Sequence, residues 1–207
     1  MLKRITLTLF IIILFAPSFL IFIGNKSPII PKEPPLSEKQ ILKASQFYSK
    51  DQTGVHQLFV KGSDFARGQQ FGYWTRSFIK QQEDALADKL SELIPSQLAQ
   101  YGLFLFSMGW FYGLDNFFEQ SWMDEMYGVS LFAPQERRFL ATAYTRQLAY
   151  HGVHDMGQMM IDQGIVLGAC TQIATPLASG WLIGRNFDFE GGRVFEEEKI
   201  MKWVFPD

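Results

Sequence analysis

The chain has one cysteine, and a cation and a carboxylate follow it closely. Cys170 sits in Gly168-Ala169-Cys170-Thr171-Gln172-Ile173-Ala174, and Arg185 and Asp188 sit in Gly180-Trp181-Leu182-Ile183-Gly184-Arg185-Asn186-Phe187-Asp188. The turn residues of Thr175-Pro176-Leu177-Ala178-Ser179-Gly180, between two runs suited to strands, predict a β-hairpin that brings the three groups together. The chemistry on offer is nucleophilic. A free thiol titrates near about 8.5, so only a few per cent is thiolate at neutral pH and a neighbouring base or cation must raise that fraction. Arg185 can be that cation. In a regular strand Arg185 and Asp188 have opposite parity and fall on opposite faces; a break in the return strand near Asn186 is therefore expected if both are to reach the sulfur. Against all this stands the ordinary use of an unpaired cysteine, as a small buried hydrophobe.

Cys170-Thr171 followed by a hairpin and Gly184-Arg185-Asn186-Phe187-Asp188 resembles the nucleophile hairpin of the N-terminal-nucleophile (Ntn) hydrolases, in the branch of the choloylglycine hydrolases and the penicillin acyltransferases of peptidase family C45. The long segment ahead of the cysteine is similar to the acyltransferase group. Two upstream stretches agree with it: Gly62-Ser63-Asp64-Phe65-Ala66-Arg67-Gly68-Gln69-Gln70-Phe71-Gly72 and Met123-Asp124-Glu125-Met126-Tyr127-Gly128-Val129-Ser130. The resemblance implies self-cleavage between Ala169 and Cys170. It makes Cys170 the nucleophile, places Arg185 beside the thiol, and gives Asp188 the orienting of the freed α-amino group. That amine, with a reference pKa of about 7.7–8.0, would be a base attached to the nucleophile itself, so no histidine is required. The implied activity is hydrolysis or transfer of an acyl group at an amide or thioester through an acyl-cysteine, on a small-molecule substrate and without a cofactor. The resemblance further implies an apparently truncated member of the family, since family members carry a larger portion after the cysteine.

Other clusters offer less. His151 and His154 stand three residues apart and could share a helix face as metal ligands, but no third ligand is near in sequence, and no metal site is assigned. Either histidine could pair with Cys170 only through spatial geometry that spacing does not give. Glu196-Glu197-Glu198 reads as a solvated acidic face.

The elements that must position the hairpin follow from composition and pattern. A net charge of -2 over 207 residues gives no basic footprint for nucleic acid. Lys3 and Arg4 precede an apolar run over residues 5–23, which matches the roughly 20 residues a membrane helix needs and predicts an N-terminal signal anchor over 1–25 with the main domain outside the cytoplasm. Pro28, Pro31, Pro34 and Pro35 predict a stiff linker over 26–36. A mainly helical pro-segment is expected over 37–169. Ser37 and Gln40 suggest a capping box opening a helix over 38–48, residues 57–60 a strand, and Asp64 the cap of a helix reaching Leu93. The aromatic-rich stretch 103–112 is expected as a buried helix whose face Phe117 and Trp122 continue, with an acyl-pocket lining as the less favoured use. Residues 123–131 and 134–160 suggest two more helices, the second with Pro134 near its first turn. Residues 170–207 then begin an incomplete β domain. The fold class expected is α+β: a membrane anchor, a helical pro-segment and the start of an Ntn-type αββα sandwich. Two other functions fit the same sequence, a membrane-tethered helical binding or structural domain with an inert cysteine, and a truncated, inactive relative of the enzyme.

Overall fold

The structure, a computed structural model, describes the backbone of residues 29–50, 52, 54–111, 113–138, 141–161, 168–177, 180–189 and 198–205; within these, the side chains of 104–105, 108–109, 153–161, 168–172, 177 and 185–189 lie outside the description. In chain order come α1 (Glu38–Ala44), β1 (Gln46–Tyr48), β2 (Val55–Lys61), α2 (Asp64–Leu93), α3 (Gln97–Trp110), a 3-10 turn (Leu114–Phe117), α4 (Gln120–Ser130), α5 (Ala143–Ile161), β3 (Gly168–Leu177), β4 (Gly180–Phe189) and β5 (Lys199–Phe205). The fold is α+β.

Helix α1 opens as the sequence predicts, with the Gln40 side-chain oxygen accepting from the Ser37 N–H at 2.8 Å. It stops at Ala44 rather than running to residue 48, and Ser45 turns the chain into β1. The Ser45 hydroxyl donates to the Ile41 carbonyl and accepts the Trp74 indole N–H at 2.9 Å, so a tertiary contact ends the helix. Strand β2 alternates, burying His56, Leu58 and Val60 on one face. Its end is set by Gly62 at φ +99, a conformation that favours glycine. The cap of α2 is Ser63 and not Asp64: the Ser63 hydroxyl accepts from the Ala66 N–H, while Asp64 pairs with Arg67 one turn on.

The stretch from Ser63 to Gly72 is occupied by packing. Gln70 is fully buried and closes the end of β2, accepting from the Lys61 N–H and donating to the Lys61 carbonyl at 2.7 Å. Gln69, equally buried, accepts the Leu36 N–H at 2.6 Å and so fixes the chain entering α1. Gly68 and Gly72 lie where α4 crosses α2. A Cβ at Gly72 would stand 2.8 Å from the Val129 carbonyl oxygen, one at Gly128 would stand 2.5 Å from that of Phe65, and one at Gly68 would be driven into the carbonyl of Glu125. The two upstream stretches that carry the family resemblance are thus the two halves of one close helix crossing.

The helical core lies among α2, α4 and α5. Ile79, Val129 and Ala133 pack with Phe71 and Ala143, and Met126, Tyr144 and Leu148 form a second cluster with Leu114, Phe118 and Tyr127. Beside it Glu83 and Arg146, both buried, pair at 3.1 Å. Arg146 also donates to the carbonyls of Ala141 and Pro134 at 2.9 and 2.5 Å. That capture of the Pro134 carbonyl keeps the segment before Ala143 out of the helix, so α5 begins nine residues later than the sequence suggests. The aromatic helix is longer at its start than expected, and its face is not buried as a whole: Tyr101, Phe106 and Trp110 are exposed, as are Phe117 and Trp122.

The strands form two small sheets, β1-β2-β5 and β3-β4, rather than the expected start of an αββα sandwich. In the first, β1 runs antiparallel to β2 and β5 runs parallel to it, with Val55 opposite Lys199 and Lys61 opposite Phe205. Strand β5 thus comes from beyond the expected boundary at residues 169 and 170 and pairs with a strand far ahead of it. Trp203 stacks on Phe59 at 6.2 Å and donates its indole N–H to Gln57 at 2.9 Å, which supports the same register.

The expectation of a membrane-anchored chain is corrected. Among the described residues no helix is long and apolar enough to cross a membrane. The longest, α2, carries charges along its length, including Arg67, Lys80, Glu83 and Asp84, and the most apolar, α3, has 14 residues against the roughly 20 a span needs. Residues 5–23 themselves lie outside the described residues. Assignment of the main domain to the outside of the cytoplasm depended on that anchor and loses its support with it.

Candidate functional site

Strands β3 and β4 make the hairpin predicted around Cys170. Leu177 faces Gly180, so residues 178 and 179 alone join the strands, and Gly180 at φ +146 takes a conformation that disfavours other residues. The hairpin is longer than the sequence suggests, because the strand runs on through Thr175 and Pro176 instead of turning there.

The register places each predicted residue. Cys170 lies opposite Phe187, Gln172 opposite Arg185, and Ala169 opposite Asp188. Side-chain faces alternate along each strand and directly paired residues share a face, so positions 170, 172, 185 and 187 fall on one face of the ribbon and 169 and 188 on the other. Cys170 and Arg185 are therefore diagonal neighbours in the ladder. The side chains of Cys170, Arg185 and Asp188 themselves lie outside the described residues.

Strand β4 continues unbroken from Gly180 to Phe189, so the break expected near Asn186 is absent. A regular ladder opposite β3 removes the need for the strand to bend there. Positions 185 and 188 then fall on opposite faces of the ribbon. Asp188 instead occupies the position level with Ala169, beside the bond whose cleavage the family resemblance implies.

The histidine alternatives separate. Residues 151–154 are helical within α5, and Gly152 is accommodated because Phe111 packs where a side chain would otherwise be. His151 meets Phe118 edge to face at 6.0 Å, and burial lowers its pKa, leaving a neutral ring at neutral pH. The side chain of His154 lies outside the described residues, and no group of three metal-binding side chains occurs among those described.

Two polar pairings escape a reading by sequence proximity because they join distant segments. Lys202 on β5 pairs with Glu125 on α4. Glu198, expected on a solvated acidic face, instead reaches the buried His56 at 2.7 Å and Lys50 at 3.2 Å; Glu196 and Glu197 lie outside the described residues. The His56 ring is enclosed by Phe47 and Phe78, with centroids 5.3 and 4.9 Å away. The only advance signal was the alternation of β2, which puts His56 on the same face as Leu58 and Val60.

Burial alone would raise the Glu198 pKa, but the hydrogen bonds from His56 and Lys50 outweigh it and hold the carboxyl below its usual value. A depressed carboxyl stabilises the fold above the unfolded value of about 4.3, and that contribution is lost as pH falls through the folded value. Glu198→Gln is accordingly expected to be less stable than wild type at pH 6, with the difference narrowing as pH falls below about 4. Urea unfolding at a series of pH values measures this, and a gap that stays constant with pH would show that the carboxylate charge is not what holds the pair.

Compared with known protein families, curated proteins and solved structures, the chain matches none.

Proposed function

We propose that the chain is a self-cleaving cysteine amide hydrolase or acyltransferase of the Ntn type, with Cys170 as nucleophile. The observation that carries this reading is the hairpin register, which sets Cys170 and Arg185 diagonally on one face and Asp188 level with Ala169.

In the first step the Cys170 sulfur attacks the Ala169 carbonyl carbon. The C–N bond to Cys170 breaks, the nitrogen takes up a proton and becomes a free amine, and a thioester joins Ala169 to the sulfur. Water opens that thioester, leaving a carboxylate on Ala169 and a thiol on Cys170. In turnover the α-amine accepts the thiol proton, the thiolate attacks the substrate carbonyl, and the leaving amine or thiol departs with a proton, giving an acyl-cysteine. Water or a second amine then accepts the acyl group. Arg185 holds positive charge on the thiol's face and favours the thiolate. Asp188 serves the amine, a role that suits its place opposite Ala169 better than a role at the sulfur.

Intact-mass measurement on the purified full chain tests this. Two products are expected, one ending at Ala169 and one beginning at Cys170. A single species at 23.8 kDa after prolonged incubation at neutral pH would leave the cysteine without its self-processing role and favour a binding or structural domain.

A further inference from the structure

A cavity of about 410 Å³ opens between α2, α4, α5 and β5. One wall is aromatic. Trp122 and Phe118 stand 6.1 Å apart at a tilt, and Phe118 meets His151 edge to face. Met126 and Val129, both buried in the core, line it as well. Trp122 is 60 % exposed, a large indole left to water at the rim of an apolar cavity.

The polar end is built from an alternating row of charges. Asp64 pairs with Arg67, Arg67 Nε stands 3.9 Å from one oxygen of Glu125, and the other oxygen of Glu125 pairs with Lys202, which lines the cavity. Glu125 lines the cavity too, but both of its oxygens face cations, and the row ends in the Lys202 ammonium. That ammonium has three donors, of which Glu125 takes one, and the Lys202 side chain is 30 % exposed. It also stands 5.9 Å from the centre of the Phe71 ring, so the place where a foreign cation would meet that face is already filled. Gln147 and the neutral His151 ring add hydrogen-bonding groups without adding charge.

We propose that this cavity binds a small, flat aromatic carboxylate, its ring against Trp122 and Phe118 and its carboxylate on Lys202. The volume lies at the lower end of the roughly 300–1,000 Å³ of small-molecule sites, which suits one or two fused rings. An anion is favoured because the lining carboxylate, Glu125, already has a cation at each oxygen, while Lys202 keeps donors to spare.

Calorimetric titration of the full chain with 2-naphthoate, set against 2-naphthylmethylammonium, tests the site. Saturable one-to-one binding is expected for the carboxylate and none for the ammonium. Lys202→Met is expected to weaken 2-naphthoate about tenfold, the loss of one charge-assisted contact. Trp122→Ala should weaken it similarly, and the exposure of Trp122 lets that variant keep its fold, which its thermal unfolding checks. No saturation by about 1 mM, equal binding of the two probes, or wild-type affinity in both variants would overturn the proposal. The titration is expected to give the same answer on a Cys170→Ala chain, which separates its outcome from whether the chain cuts itself.

Discussion

Gly68→Ala is expected to destabilise the protein by about 3 kcal/mol or more, whereas Gly102→Ala stabilises it by about 0.5–1 kcal/mol. Both glycines lie inside helices, Gly68 in α2 and Gly102 in α3, so helix propensity alone would favour alanine at each. What differs is the space. Nothing lies within 4 Å of a Cβ at Gly102, while one at Gly68 collides with the Glu125 main chain. A backbone cannot rotate away as a flexible side chain can, so α2 and α4 must part. The clusters around Val129 and Met126 would loosen with them. Gly128→Ala should behave as Gly68→Ala does, because its Cβ meets the Phe65 carbonyl oxygen from the other side at 2.5 Å. Urea unfolding of the three variants measures this. Equal effects at positions 68 and 102 would mean that the helices do not touch there.

Cys170→Ala is expected to abolish the cut after Ala169 and to lower acyl transfer by about 10⁴-fold or more, since no other group supplies the nucleophile. On the proposed mechanism the register gives the other two residues separate parts. Arg185→Met should slow both the cut and turnover by about tenfold or more near pH 7, with much of the loss recovered above about pH 8.5, where a free thiol ionises unaided. Asp188→Asn should spare the cut and impair turnover, because the amine proposed for it to serve would exist only afterwards. Intact mass against time, together with trapping of an acyl-cysteine, reads both stages. If Cys170→Ala still cuts or turns over, the mechanism fails; if Arg185→Met shows the wild-type pH profile, Arg185 does not tune the thiol.

Local signals were legible wherever the deciding contact is also local. The span of α2 from residue 64 to 93 follows from its apolar spacing, and its start was missed by one residue only in the choice between Ser63 and Asp64 as cap. The reach of Gln40 to Ser37 and the hairpin at Cys170 were readable for the same reason. Elements fixed by distant partners were not. Gln46 to Tyr48 looked like more helix until Trp74 took the Ser45 hydroxyl, and the helix expected from Pro134 is held back by Arg146. Strand β5 has the side chains of a strand, yet nothing near it in sequence announces that its partner is β2. For the candidate site, the hairpin was legible, while its register and the continuity of β4 through Asp188 were not, because the turn residues of 175–180 do not say where the ladder ends and parity alone cannot tell a bent strand from a straight one.

The parallel pairing of β5 with β2 bears on how the molecule would survive the proposed cut. Severing the chain after Ala169 leaves the two pieces joined by a shared ladder, by Lys202 on Glu125 and by Glu198 on His56. If the proposed cut occurs, the product is a two-chain protein that would stay whole until denatured. Its reassembly would then be a bimolecular event whose rate rises with concentration, whereas the uncut precursor would refold at a rate independent of it.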